Sequence, residues 1–159
     1  MLRVFTILLV SVLLWQQSVL AADSKVIAIV VANEQAGKSI SMPELKLIYW
    51  RKKDYWANGR HIHPVNLPAD NPLRMRFSNK VLGSLPSTQT DYWNEVYFHG
   101  VSPPYVVNSE EAVLRYVTET AGAIGYINVC NVDSRVKAIA WLNENGDLLS
   151  KAPDYRCGP

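Results

Sequence analysis

The sequence feature that most constrains the fold is an uninterrupted apolar run within residues 24–32. Its side chains are small or β-branched, and no polar residue alternates with them between Val26 and Ala32. A strand with this pattern is buried on both faces, because a half-exposed strand would carry a polar side chain at every second position. The run therefore predicts a strand in the centre of a sheet that is covered on both sides.

Helix and strand signals alternate along the rest of the chain. Ser41 begins a predicted helix, because its hydroxyl can cap the first turn, Glu44 can return a bond and Pro43 is tolerated there. Further helix starts are predicted at Asp70, at about residue 88 and at Ser109. Strands are predicted at residues 61–67, 122–127 and 136–142. This alternation predicts a three-layer α/β domain.

Three residues within the predicted strands add detail. Pro64 lacks the N–H that a strand ladder uses, which places its strand towards an edge or at a bulge. Gly122 and Gly125 indicate that other backbone approaches their strand closely. We therefore expect the strand at 61–67 to lie towards an edge of the sheet or to contain a bulge.

The amino-terminal end has the pattern of an export signal. Arg3 precedes about a dozen apolar residues, and Val19 and Ala21 are the small residues that signal peptidase accepts before a cut. A membrane anchor is the alternative, but a spanning helix needs about 20 apolar residues. We therefore expect residues 1–21 to be removed. Residues 22–159 would then form one domain of 138 residues outside the cytoplasm, in a periplasm.

The charge balance limits the possible partners, and the cysteine count predicts a disulfide. The chain has 16 basic and 14 acidic residues, and removal of Arg3 leaves it almost neutral. This balance gives no support to a nucleic-acid partner. Cys130 and Cys157 are the two cysteines, and an even count in an exported chain predicts a disulfide between them. Two unpaired thiols or a bridge between chains are the alternatives.

An ordered series of short segments resembles a known family. The segments are LKLIYW (45–50), WANG (56–59), PVNLP (64–68), LRMRF (73–77), YW (92–93), FHG (98–100), PP (103–104), SEEAV (109–113) and GAIGY (122–126). Taken in order, they resemble the phosphate-binding components of ABC transporters, which belong to the type 2 periplasmic binding proteins. The resemblance covers almost all of the predicted mature chain.

The resemblance implies a fold and also limits the ways in which the chain could bind a ligand. Full members of the class have two α/β lobes that close on a ligand, whereas 138 residues are enough for one lobe. The matching segments resemble the second lobe. The resemblance therefore implies a three-layer single lobe whose binding site is open, shared with a partner, or absent. Whether dimerisation rebuilds a two-lobed cleft stays open.

The resemblance also implies where an anion would bind. In the full phosphate binders, this lobe contributes a Ser-Gly-Thr loop at a helix amino end, with an arginine just upstream. Asn71, Pro72 and Leu73 occupy the three loop positions in this sequence, and Leu67 occupies that of the arginine. Proline has no N–H to donate, and Asp70 adds negative charge beside the implied pocket. The loop thus departs from the family pattern.

Two interpretations of this segment stay open. Asp70 or Asn71 can act as a plain helix cap, with Pro72 at the first helical position, and the altered loop favours this interpretation. Alternatively, Asp70, Asn71, Arg74 and Arg76 form a weak ligand-binding site for phosphate or another small anion. The arginines would then grip the anion through a bidentate fork.

A second candidate surface lies at residues 50–56, which begin and end with a tryptophan. Its residues are Trp50, Arg51, Lys52, Lys53 and Trp56. They predict a contact surface for a protein partner if the tryptophans are exposed. The alternative is a solvated helix end, since basic residues there complement the helix dipole. Most aromatic residues nearby are expected in the core, namely Tyr49, Tyr55, Tyr92, Trp93 and Tyr97.

The remaining polar residues do not assemble a catalytic site or a cofactor site. His61 and His63 lie two apart on a predicted strand and face the same side, and His99 is a possible third metal ligand. Exposed polar histidines are the alternative, and we expect no metal. No nucleophile motif is present, so the sequence favours a non-enzymatic protein without cofactors.

Two functional hypotheses follow from the sequence. The first is an exported solute-binding-like protein that engages a small anion, such as phosphate, weakly at the helix start of residues 70–76. The second is a non-enzymatic interaction module that docks an inner-membrane transporter or sensor through residues 50–56. The oligomeric state is not determined by the sequence.

Overall fold

The computed structural model describes residues 24–35 and 39–158, which form a mixed α/β fold. The strands are β1 (Ile27–Ala32), β2 (His63–Asn66), β3 (Tyr105–Val106), β4 (Ala123–Asn128), β5 (Val136–Leu142) and β6 (Leu148–Leu149). The helices are α1 (Met42–Tyr49), α2 (Pro72–Phe77), α3 (Thr90–Phe98) and α4 (Glu110–Glu119), and a π-helical segment, Ser78–Leu82, continues α2. None of these helices is both long enough and apolar enough to cross a bilayer. The predicted export signal lies outside the described residues.

The apolar run forms β1, which lies inside the sheet. The strand order is β3-β2-β4-β1-β5-β6, and all six residues of β1 are buried. β1 runs antiparallel to both neighbours, β4 and β5. β2 runs parallel to β3 and β4, so the sheet is mixed. The prediction of a central strand that is covered on both faces is confirmed.

Helices cover both faces of the sheet. The positions of β4 show this, because they face the two sides in turn. Gly125 faces α4, where an added Cβ would lie 2.5 Å from Cγ1 of Val113. Tyr126 points to the opposite face, because successive strand residues alternate. Its ring stacks on Phe77 of α2 at 3.9 Å, and Phe77 meets Tyr49 of α1 at 4.7 Å, both between ring centroids. The three-layer prediction is therefore confirmed.

The glycines of the β4 region are required by two different close approaches. At Gly122 the φ angle is +89°, and an added Cβ would lie 2.0 Å from the carbonyl oxygen of His61 and collide with it. At Gly125 the neighbours are valine side chains of α4 and β2 rather than backbone. The predicted backbone approach is thus confirmed at Gly122, whereas Gly125 makes room for side chains.

β2 is not the edge strand that Pro64 predicts. β3 lies outside it, and the β2–β3 pairing joins Val65 to Tyr105 and Asn66 to Val106. Pro64 itself has no partner in β3, since the pairing begins one residue later. The missing N–H therefore falls outside the β2–β3 ladder, which explains why a proline is tolerated in an inner strand.

The aromatic residues of α3 are less buried than the sequence predicts. No residue of α3 is fully buried, and Tyr97 and Phe98 are 65% and 87% exposed. Tyr55, which follows α1, is also exposed. The expectation of core packing is wrong for Tyr55 and Tyr97. The reason is that α3 lies at the periphery and its Tyr92 and Trp93 pack mainly on Trp50.

A disulfide ties the carboxyl-terminal tail to the domain. Cys130 follows β4, and Cys157 lies 27 residues later with a Cα–Cα distance of 5.5 Å. The residues of the tail around Cys157 are exposed. The predicted pairing within one chain is confirmed, and no free cysteine remains.

Candidate functional site

The start of α2 is closed by a helix cap. Oδ1 of Asn71 accepts hydrogen bonds from the backbone N–H groups of Leu73 at 2.9 Å and Arg74 at 3.3 Å. Pro72 has no N–H, and the N–H of Met75 donates to the carbonyl of Asn71. The first turn is therefore satisfied within the chain, and the cap interpretation of Asn71 is confirmed.

The four predicted ligand-binding residues have different environments. Asp70 is exposed, and Asn71 and Arg76 are half-buried. Arg74 is buried, with 7% of its surface exposed. Met75, the apolar neighbour of Arg74, is exposed instead. The inner face of α2 thus carries a guanidinium together with Leu73 and Phe77, an arrangement that apolar periodicity does not predict.

The guanidinium of Arg74 is buried without a carboxylate partner. Among the residues that the structure describes, its Nε and Nη1 atoms have no hydrogen-bond partner. Burial lowers the pKa of Arg74, and the nearby hydroxyls of Tyr126 and Tyr49 only partly oppose this shift. None of the ion pairs among residues 24–35 and 39–158 includes Arg74. The site therefore holds a positive charge that the described residues leave without a counter-charge.

A polar network surrounds Arg74 at the carboxyl end of β2. The hydroxyl of Tyr126 donates to Oδ1 of Asn66 at 3.2 Å and accepts from the N–H of Leu67 at 3.3 Å. The hydroxyl of Tyr49 lies 3.2 Å from the carbonyl oxygen of Val65. Burial raises the pKa of Tyr126 to about 12. Its phenol thus remains protonated at neutral pH.

Ser78 provides another buried polar group on the face of Arg74. It lies four residues after Arg74, so the two side chains share one side of the helical segment. Ser78 is fully buried, and its Oγ has no hydrogen-bond partner in the described part of the chain. We call Arg74, Ser78, Asn66, Tyr49 and Tyr126 the Arg74 cluster.

Sequence reasoning identified one member of the Arg74 cluster and missed four. The spacing of Arg74 and Ser78 is a local signal, since residues four apart share a helix face. No local signal links them to Asn66, Tyr49 or Tyr126. These three residues belong to β2, α1 and β4, which only the tertiary fold brings together.

Both tryptophans of the predicted partner surface make contacts within the protein. Trp50 is half-buried, and its ring lies 4.5 Å from that of Tyr92 and 5.8 Å from that of Trp93. Trp56 is also half-buried, and its Nε1 donates to the carbonyl of Gly122 at 2.8 Å. The two tryptophans therefore anchor α3 and the loop after α1, rather than standing free on the surface.

The three basic residues that follow Trp50 differ in how far they are paired within the protein. Nη1 of Arg51 lies 3.3 Å from the carbonyl oxygen of Ile62 and 3.3 Å from Oδ1 of Asp54. Lys53 forms an ion pair with Glu44. Lys52 is exposed, with its Nζ 5.8 Å from the centroid of the Tyr92 ring. Of these three residues, only Lys52 presents its charge mainly to solvent.

The histidines do not converge on a metal site. The rings of His61 and His63 lie side by side, with their centroids 4.7 Å apart. His99 lies at the end of α3, and its Nδ1 is 2.9 Å from the carbonyl oxygen of Glu95. Within the described part of the chain, no group of three or more His, Cys, Asp or Glu residues could hold a metal ion.

Comparison with solved structures identifies the fold. An ABC-type phosphate transport receptor from Vibrio cholerae aligns over 70% of this chain, with a TM-score of 0.56 and 22% identity. A protein described as a phosphate ABC transporter substrate-binding protein from Clostridium perfringens, solved with bound phosphate, also aligns over 70%, with a TM-score of 0.58 and 21% identity. The chain shares their fold. PstS from Borrelia burgdorferi aligns over 65%, with a TM-score of 0.52 and 16% identity.

These comparisons confirm the resemblance at the level of the fold. The chain spans 44%, 43% and 40% of the three solved structures, so it corresponds to less than half of each. No family model matches the sequence, and no curated protein matches it significantly. The chain therefore has the fold of one part of each of these solved structures, and the ligand is a separate question.

Proposed function

We propose that the chain is a non-enzymatic binding module, exported to a periplasm, that engages a small anion such as inorganic phosphate through Arg74. The shared fold with phosphate receptors supports the class of ligand. The Arg74 cluster supports the position, because the carboxyl ends of strands are where ligand crevices form in α/β sheets.

The buried guanidinium is the observation that carries the proposal. A buried charge without a counter-charge costs several kcal/mol, so proteins rarely retain one without a compensating contact. An oxyanion can accept from two guanidinium N–H groups at once. The unpartnered Nε and Nη1 of Arg74 would then gain an acceptor, and the hydroxyls of Ser78 and Tyr126 lie on the same side of the sheet.

The proposed site depends on side chains rather than on the helix start. The first-turn N–H groups are already bonded to Asn71, so Asn71 positions Arg74 instead of contacting the anion. Arg76 adds a second positive charge two residues later, and Asp70 limits the total charge at the mouth. Because Arg74 is only 7% exposed, we expect weak binding that a small local opening must accompany.

One lobe taken by itself also favours weak binding. The similar solved structures are more than twice as long as the part that this chain matches. A single lobe cannot enclose a ligand by hinge closure. A second surface that closes over the site, such as that of a partner protein or a second copy, would raise the affinity.

Isothermal titration with inorganic phosphate tests the proposal. We expect the mature protein to bind with a Kd of about 0.1–1 mM, and Arg74→Gln to weaken binding by about tenfold or more, since one charge-assisted bond is lost. Arg115→Gln is the matched control, because Arg115 is an exposed arginine on α4. Absence of heat up to about 5 mM phosphate, or equal loss in both variants, would contradict the proposal.

A second candidate function is docking to an inner-membrane transporter or sensor. The exposed residues Lys52 and Tyr55 lie between the two half-buried tryptophans, which favours this surface. Co-sedimentation with inner-membrane vesicles, intact or stripped of protein by protease, tests it. We expect protein-dependent sedimentation that Lys52→Glu with Tyr55→Ser abolishes and that Lys46→Glu, on the exposed side of α1, preserves. Binding to stripped vesicles would count against a protein partner.

A further inference from the structure

A cavity of about 270 Å³ lies at the opposite end of β2 from the Arg74 cluster. Residues from α4, β3, the start of β2 and the segments at 51 and 102–104 line it. Among the lining residues are Arg51, His63, Ser102, Pro104, Tyr105 and Tyr116. Pockets that hold small organic molecules have volumes from about 300 Å³ upwards, so this cavity is near their lower limit. It is larger than a bare inorganic ion needs.

The charge in this cavity is positive, and a part of the guanidinium group that carries it is available to a ligand. Of the described residues, no carboxylate lines the cavity, and Arg51 is the one permanently charged residue that does. Both contacts of Arg51, to Ile62 and to Asp54, are made by Nη1. Within residues 24–35 and 39–158, Nε and Nη2 have no hydrogen-bond partner. These two donors point the same way from a planar guanidinium and match the two oxygens of a carboxylate.

The backbone holds Arg51 in an unfavourable conformation. Its φ angle is +56°, and it is the only described residue other than glycine with a positive φ. The N–H of Arg51 donates to the carbonyl of Ile48, and the N–H of Lys52 donates to that of Leu47, which is the Schellman ending of a helix. Glycine usually occupies this position because it adopts the left-handed conformation without strain. The arginine side chain is therefore present at a conformational cost.

The walls of the cavity suit an apolar or planar group. The rings of Tyr105 and Tyr116 stack with centroids 5.3 Å apart and planes 19° apart. Burial raises the pKa of Tyr116, and the positive charge of Arg51 partly opposes this shift, so the phenol stays protonated near the guanidinium. Burial and the adjacent His61 and Arg51 lower the pKa of His63, so its imidazole is neutral at neutral pH.

We propose that this cavity binds a small carboxylic acid with a planar or apolar body. The Arg51 guanidinium holds the carboxylate, the hydroxyls of Ser102 and Tyr116 offer further donors, and Pro104 and Tyr105 contact the body. The site is separate from the Arg74 cluster, since the two lie at opposite ends of the four-residue strand β2.

Titration with benzoate, followed by ligand-observed NMR and by calorimetry, tests this proposal. We expect saturable binding with a Kd of about 1 mM or tighter, and a loss of about tenfold to a hundredfold in Arg51→Gly. That variant keeps the helix ending, because glycine favours the same φ, so circular dichroism and thermal unfolding should show an intact fold. Lys52→Gln removes the adjacent exposed charge and should bind benzoate normally.

Three results would overturn the proposal. The first is no saturable benzoate signal from the folded wild-type protein. The second is unchanged benzoate binding by folded Arg51→Gly. The third is displacement of benzoate by an equal concentration of inorganic phosphate in both wild type and Arg74→Gln, which would mark a general anion site instead of a carboxylate site. Weaker competition by acetate than by benzoate would support the contribution of the apolar walls.

Discussion

Replacement of Arg74 by methionine should make the domain more stable while removing its anion response. Methionine has a flexible side chain of similar length and fills a buried space without a charge. The stem of Arg74 packs beside Leu73 and Phe77 on the inner face of α2, so most apolar contacts should survive. What the variant removes is the buried guanidinium with its two unpartnered N–H donors.

The size of the effect follows from those two donors. An unsatisfied buried polar group costs about 1–3 kcal/mol, so Nε and Nη1 together cost about 2–6 kcal/mol. Replacement of a buried ion pair by apolar residues is neutral or raises stability by about 1–4 kcal/mol in other proteins. We therefore expect the free energy of unfolding of Arg74→Met to rise by about 1–4 kcal/mol.

Urea denaturation in chloride and in phosphate buffers of equal ionic strength measures both effects. In chloride, Arg74→Met should unfold at a higher urea concentration than the wild type. Phosphate at about ten times its Kd should stabilise the wild type by about 1.4 kcal/mol and leave Arg74→Met unchanged. Lys46→Met, which removes an exposed charge from α1, is the control and should behave like the wild type in both buffers. A less stable Arg74→Met that still responds to phosphate would refute the reasoning.

Three further predictions concern packing, ionisation and the tail. Gly125→Ala should lower the free energy of unfolding by about 1–3 kcal/mol, because its Cβ would lie 2.5 Å from Val113, and Val113→Ala in the same chain should restore part of the loss in urea denaturation. Burial raises the pKa of Tyr126 from 10.0 to about 12, so stability should be full below pH 10.0 and fall as pH rises towards 12, as circular dichroism can follow. Replacement of Cys130 and Cys157 by serine should cost about 3.5 kcal/mol for a separation of 27 residues; a loss below about 1 kcal/mol in urea would contradict this.

The helix caps and the central strand could be predicted because they depend on local chemistry. Ser41 and Asn71 cap α1 and α2, and the residues that they bond lie within three positions along the chain. The burial of β1 follows from its composition, since six apolar residues in succession leave no face for water. The Cys130–Cys157 pairing was predictable because only two cysteines are present.

The environment of Arg74 could not be predicted in this way. An arginine next to a methionine suggests that the methionine faces the core, yet Met75 is exposed and Arg74 is buried. The orientation of α2 is set by Phe77, which stacks on Tyr126 and contacts Tyr49. Once Phe77 faces the sheet, Arg74 must face it too, because residues three apart share a helix face.

The sequence predicted the four helices, the strands β1, β2, β4 and β5, the helix caps and the likeness to phosphate receptors, but not the two-residue strands β3 and β6. Tertiary structure decided which charges are buried, which aromatic residues stay on the surface and which strands run antiparallel. The physical reason is the range of the interactions. Caps and strand burial depend on residues a few positions apart, whereas the Arg74 cluster and the Arg51 cavity each combine side chains from three or more elements that only packing brings together.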